Sequence, residues 1–163
     1  MAILIDGFNL IYKFPDLEGL MYQNRLSDAR IGLLNKLKEY QNITKANITV
    51  VFDGKKDSLE IKKETIKSID VYYSLDYSAD FLIKDFVKQD LNPRMILVVT
   101  SDKDIIDYVT RFKVKVKKSE EFYAHMNETI ENYLDSIEPE KDENPVLDDD
   151  EILFWEEQFN RKR

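Results

Sequence analysis

Three short apolar runs constrain this chain more than any other feature: AILI at 2–5, ITVVF at 48–52 and MILVVT at 95–100. Each is rich in Ile and Val and apolar at successive positions instead of alternating, the pattern of a strand covered on both faces. The segments between them repeat at a different interval. Leu26, Ala29, Leu33, Leu37 and Tyr40 recur every three or four positions, as do Ala79, Leu82, Ile83 and Phe86, and then Ile105, Ile106 and Val109. Each set makes one apolar stripe on a helix. A further helical pattern covers roughly 119–134. Buried strands alternating with such helices pair in parallel through crossover connections. The expected fold class is α/β: a three-layer α/β/α domain around a mainly parallel sheet of about five strands. IDVYYS (69–74) and FKVKV (112–116) are the two weaker strands.

The strand–helix pattern lapses after Ser136, which places the domain at 1–136. An acidic, Pro-containing linker is expected over 137–148 and a short amphipathic C-terminal helix over 149–163. In that helix acids come first and bases last, matching the helix dipole, and Ile152, Trp155 and Phe159 share one face. The net charge of −8 is concentrated nearby: residues 138–151 hold eight acids and one lysine, −7 of the total, leaving about −1 for the rest. RFKVKVKK (111–118) carries five positive side chains and no acid. The overall acidity therefore does not exclude a polyanionic substrate.

Each strand run closes on a carboxylate. Asp6 ends the first and Asp53 the second, while Ser101, Asp102 and Asp104 follow the third. Asp80 opens the helix that begins after Ser78. The C-terminal ends of parallel strands lie along one edge of a sheet, where ligands bind, so separate segments deliver these acids to the same rim. Taken singly, each acid has an ordinary explanation. Asp-Gly at 6–7 and 53–54 is turn chemistry, Asp80 can pair with Lys84 one turn on, and Ser101 with Asp104 resembles a capping box. Taken together, several carboxylates at one rim repel each other and raise one another's pKa values unless a cation neutralises them. There is no cysteine and only one histidine, His125, which excludes thiol nucleophiles, thiolate zinc and His-rich metal sites. A hard divalent cation held by oxygen ligands, Mg2+ or Mn2+, is the catalytic option that remains. The apolar run before Asp6 is too short for a signal peptide or a membrane span, so no membrane association and a cytoplasmic location are expected.

ILIDGFNLIYKFPDL, VVFDG, YSAD and VVTSDKDI, in that order, resemble the NYN domain of the PIN-like nucleases, and its YacP-like branch in particular. The resemblance spans about residues 1–135 and implies a metal-dependent endoribonuclease that hydrolyses single-stranded RNA through metal-activated water. It implies that Asp6, Asp80 and Asp102 bind the metal, that Asn9 holds the geometry of the site, and that Asp104 assists. Asp53 and Ser101 would support the loops around it. An mRNA substrate and association with the ribosome, whose basic proteins could receive the acidic segment, are the partner expectations; oligomeric state is open.

Substrate contacts have candidates of their own. Alternation along the strand at 112–116 sets Lys113, Lys115 and Lys117 on one side, a stripe suited to phosphates or to protecting a sheet edge. Phe8, Tyr12 and Phe14 could stack on bases or fill the core. Three rival functions compete with this one. A phosphatase with an aspartate nucleophile commonly needs an acid two residues after the first, where this chain has Phe8. A nucleotide-binding module would carry a glycine-rich phosphate loop, and neither GxGxxG nor GxxxxGK[ST] occurs. A non-catalytic RNA- or protein-binding module that keeps the PIN-like fold is the alternative, one in which the clustered acids would be liabilities.

Overall fold

The structure is a computed structural model that describes residues 2–54, 62–74 and 78–137. The chain forms two compact units, Met1–Ile130 and Glu131–Arg163. The first holds the sheet. Of the second, the described part is the end of the helix Ser119–Ile137. The expected acidic segment from 138 onward and the C-terminal helix at 149–163 lie outside the described residues.

The elements run β1 (Ala2–Asp6), α1 (Gly7–Ile11), α2 (Pro15–Tyr22), α3 (Leu26–Thr44), β2 (Asn47–Phe52), β3 (Lys62–Ile66), β4 (Ile69–Tyr73), α4 (Ala79–Gln89), β5 (Ile96–Val99), α5 (Lys103–Val109), β6 (Lys115–Lys117) and α6 (Ser119–Ile137). The sheet has six strands in the order β3-β4-β2-β1-β5-β6. All neighbouring pairs are parallel except β3 with β4.

The successive apolar residues of the central strands serve two cores, as burial on both faces requires. Ile3, Ile5, Val50, Phe52 and Val71 face one side with Leu10 and Ile11 of α1, Leu33 and Leu37 of α3, and Phe122 and Met126 of α6. Leu4, Val51, Ile96 and Val98 face the other with Leu82, Ile83 and Val87 of α4 and Ile105 and Val109 of α5. Ile5, Leu33 and Ile83 have no exposed surface. Truncating any one to Ala should cost roughly 2–5 kcal/mol. The connection from β1 to β2 therefore covers one face and that from β5 to β6 the other. The chain reverses its direction of travel across the sheet between β1 and β5, which makes their shared end the crevice where ligands bind in such folds.

Two expectations need correction. The sheet has a sixth strand, β3, whose KKETI sequence carries no apolar run. It is an antiparallel edge joined to β4 through Lys67 and Ser68, both in the left-handed region at φ 55° and 67°. Two consecutive positive φ values suit a tight hairpin, which usually advertises itself with Asn or Gly instead of Lys-Ser. The strand expected at 112–116 is also shorter and begins later. Thr110–Phe112 is a 3-10 turn closed by Lys113 at φ 64°, so Lys113 lies outside the strand. Among the described residues no helix is long and apolar enough to cross a membrane.

Candidate active site

The rim is assembled by side chains that tie one strand end to the next. Asp6 is the last residue of β1. The Thr100 hydroxyl donates to its Oδ2 at 2.9 Å, and the same Thr100 oxygen accepts from the Asp102 N–H at 3.1 Å. Thr100 is fully buried. It thus fixes the carboxylate at the end of β1 and the loop after β5 relative to each other. Gly7 follows Asp6 directly. It is a close-packing residue and not the turn glycine that its sequence suggests: it starts α1, and a Cβ there would collide with the Phe52 ring.

Asn9 makes the second tie. Its Oδ1 accepts from the Ser101 N–H at 2.9 Å and from the Ser119 hydroxyl at 2.6 Å, joining α1 to the loop after β5 and to the start of α6. The Ser101 hydroxyl in turn accepts from the Ser119 N–H and donates to Glu120, whose carboxyl titrates lower as a result. Ser101 does not form the expected capping box with Asp104. Asp102 caps α5 instead, its Oδ1 accepting from Asp104 N–H at 2.9 Å and Ile105 N–H at 3.4 Å. Asp53 makes the third tie: its Oδ1 accepts from Ala79 N–H at 2.6 Å and the Ser74 hydroxyl at 3.3 Å, fastening the end of β2 to the start of α4. That fixes the helix on which Asp80 sits.

Two charge groupings result. In the first, burial pushes the Asp6 carboxyl up from its ordinary 3.8 to about 6; the Thr100 hydrogen bond opposes this, and the charges of Asp53 and Asp102 add to it. Negative charge from two other strand ends therefore reaches Asp6, as the parallel layout demands. In the second, Lys84 reaches Asp80 Oδ1 at 2.9 Å and Asp104 Oδ2 at 2.7 Å, bridging α4 and α5. The Asp104 and Asp80 carboxylates raise the Lys84 pKa, and the ammonium lowers that of Asp104. Among the described residues no three carboxylates converge closely enough to enclose a single ion.

The donor set is nonetheless suited in kind to a hard cation. It consists of carboxylate, amide and hydroxyl oxygens around a mostly buried Asp6 whose ionised form has no positive partner among the described residues. Asp6 and Asp102 belong to this grouping. Asp80 and Asp104 form the second grouping and share the single Lys84 ammonium.

The remaining candidates divide. Phe8 is half-buried, edge-on to Phe52 at 5.2 Å, and Phe14 is core, packed on Tyr123 at 4.7 Å. Tyr12 is 45% exposed, the one of the three available to stack on a base. Lys115 and Lys117 share a face of β6, while Lys113 lies in the preceding turn. No sequence motif singles out Thr100 or Ser119, which organise the rim. Their only signal was position, Thr100 closing the β5 run and Ser119 opening α6. Lys84 was visible as the i+4 partner of Asp80, but its second bond to Asp104 depends on how α4 and α5 pack.

The YacP-like NYN domain family model matches residues 3–157 of the chain. The chain is 29% identical to the uncharacterized protein YacP of Bacillus subtilis (strain 168), covering 98% of this chain and 96% of that one. A crystal structure of Rae1 (YacP) from Bacillus subtilis superposes with a TM-score of 0.67 at 27% identity, over 99% of this chain and 95% of the other. A mutant form of the same protein gives a TM-score of 0.70 at 24% identity, over 90% and 86%; that likeness concerns the fold.

Proposed function

The chain belongs to the YacP-like NYN domain family, a nuclease-related branch of the PIN-like fold, and from that premise we propose that it is a metal-dependent endoribonuclease acting on single-stranded RNA. The observation that carries this reading is Asp6: a mostly buried carboxyl raised to about 6, at the topological crevice of the sheet, with Asp53 and Asp102 adding negative charge. A fold gains nothing from such a group for stability alone.

Asp6 and Asp102 would hold the divalent ion, joined by Asp80 when its carboxylate exchanges Lys84 for the metal. When bound, Mg2+ or Mn2+ lowers the pKa of water and stabilises charge on phosphoryl oxygens. The chain's own residues supply position. Thr100 holds the Asp6 carboxylate in one orientation, and Asn9 locks the loop that carries Asp102 through Ser101. Asp53 fixes the start of α4 under Asp80. Tyr12, one turn past Phe8, is exposed and would stack on an unpaired base. RNA in preference to DNA rests on the family likeness alone.

One observation favours the non-catalytic alternative. Lys84 already pairs with both Asp80 and Asp104. A cleavage assay separates the two readings. The nuclease reading expects Mg2+- or Mn2+-dependent cleavage of single-stranded RNA that leaves 5′-phosphate and 3′-hydroxyl ends, abolished in the folded Asp6→Asn/Asp80→Asn variant. Cyclic phosphate ends formed in EDTA, or no cleavage of any RNA by the wild type, would overturn it.

A further inference from the structure

Away from the acidic rim, on the sheet face covered by α3 and α6, lies a hollow of about 770 Å³. A volume of that size accommodates a nucleotide-sized ligand. Its lining is unusual for so acidic a chain: Lys45, Lys115 and Lys117 contribute to it and, among the described residues, no carboxylate does. The floor is apolar, formed by Ile3 of β1 and Leu97 of β5. One wall is a fixed pair of rings. The Tyr40 hydroxyl and His125 Nε2 are 2.9 Å apart, and the rings meet edge to face. Burial and the Lys117 charge hold the His125 pKa below its ordinary value, so this wall is neutral near pH 7 and the positive charge belongs to the lysines.

The hollow also has a direction. Lys117 pairs with Val99 at the C-terminal end of β5, and its carbonyl accepts from the Thr100 N–H. Two residues later Ser119 donates to Asn9 at the rim. Lys115 pairs with Leu97 further down the same face, and Lys45 lies just before the start of β2. Cations therefore descend from the acidic rim along the sheet. Lys115 and Lys117 are spaced by two strand residues, about 6.6 Å, which suits successive phosphates of an extended strand.

We propose that this hollow is a nucleotide subsite for a single-stranded polynucleotide, taking the residue next to the one whose phosphate lies at the rim. Its lysines meet the phosphates, and the base lies over Ile3 and Leu97 against the Tyr40–His125 wall. This rests on the nuclease reading and adds to it where the strand runs. The same arrangement gives β6 its role: all three of its residues, Lys115, Val116 and Lys117, line the hollow, with Val116 also packed in part against the opposite layer.

The test is fluorescence anisotropy of the full chain with a labelled single-stranded octaribonucleotide, in EDTA so that nothing is cut, across a range of salt concentrations. Lys115→Ala/Lys117→Ala should weaken binding about tenfold at low salt. It should also flatten the slope of log affinity against log salt by about 1.4, two phosphate contacts at about 0.7 each for a single strand. Lys88→Ala/Arg94→Ala removes the same charge at positions that do not line the hollow and should leave affinity within about twofold and the slope unchanged. If the two double variants behave alike, the hollow is not the subsite, while cleavage by the wild type leaves the nuclease reading standing. If the wild type neither binds nor cleaves the RNA, both fall together. Circular dichroism of each variant verifies that the fold is intact.

Discussion

Replacing Asp6 with Asn should stabilise the protein while removing its activity. A carboxyl that titrates near 6 in place of 3.8 costs the folded state about 3 kcal/mol when it is ionised, at ~1.4 kcal/mol per pKa unit. Asn is neutral, and its Oδ1 can still accept the Thr100 hydroxyl that now donates to Asp6 at 2.9 Å. Most of that cost is therefore recovered, and a gain of about 1–3 kcal/mol is expected at pH 7.5. The pH dependence follows from the direction of the shift. Between about 4 and 6 the folded state binds the Asp6 proton more tightly than the unfolded chain does, so the wild type loses stability as pH rises through that window. Below about pH 4 the group is protonated in both states and the advantage of Asn should vanish. Urea unfolding of both proteins in EDTA at pH 7.5 and pH 3.5 measures this. An Asn variant less stable than wild type at pH 7.5, or a difference that does not change with pH, would refute the electrostatic account of Asp6.

Three further outcomes follow from the same geometry. Asp102→Asn keeps a good helix cap on α5 and should leave stability within about 0.5 kcal/mol, whereas Asp102→Ala loses the cap and about 1 kcal/mol; RNA cleavage should fail in both, and activity surviving in Asp102→Asn would confine Asp102 to capping. Lys84→Ala removes the cation shared by Asp80 and Asp104, so Mn2+ binding measured by calorimetry should tighten severalfold and the Asp104 carboxyl should titrate higher by NMR; weaker Mn2+ binding would contradict the idea that the ammonium competes with metal. Gly7→Ala forces its new methyl into the Phe52 ring, so unfolding should show a loss of about 1–3 kcal/mol, and a neutral effect would mean that α1 can shift freely.

The sheet was legible because burial on both faces leaves a plain mark in sequence: Ile, Val and Leu at every position, as in ILVV of β5. What lacked that mark was missed or misplaced. β3 has a polar sequence and an edge position, and its hairpin turn uses Lys67 and Ser68 in place of the usual signals. β6 was placed too early because alternation cannot reveal the left-handed residue, Lys113, that delays it. The rim was legible in outline, since strand ends fix where Asp6, Asp53 and Asp102 arrive. The bonds that decide their chemistry were not. Thr100 on Asp6 joins residues 94 positions apart, and Lys84 on Asp104 joins neighbouring helices, so both depend on packing that local sequence does not encode. Asp80 and Asp104 sit in the first turns of α4 and α5, and the structure pairs both with Lys84.

The account depends on acids from separate strand ends sharing a cation. The most direct measurement is anomalous diffraction from a crystal soaked in Mn2+. It should show a peak within direct coordination distance of Asp6 and Asp102, with Asp80 turned from Lys84 toward the ion or linked to it through water. A well-diffracting crystal with Mn2+ bound only elsewhere, and Asp6 unchanged beside Thr100, would contradict it.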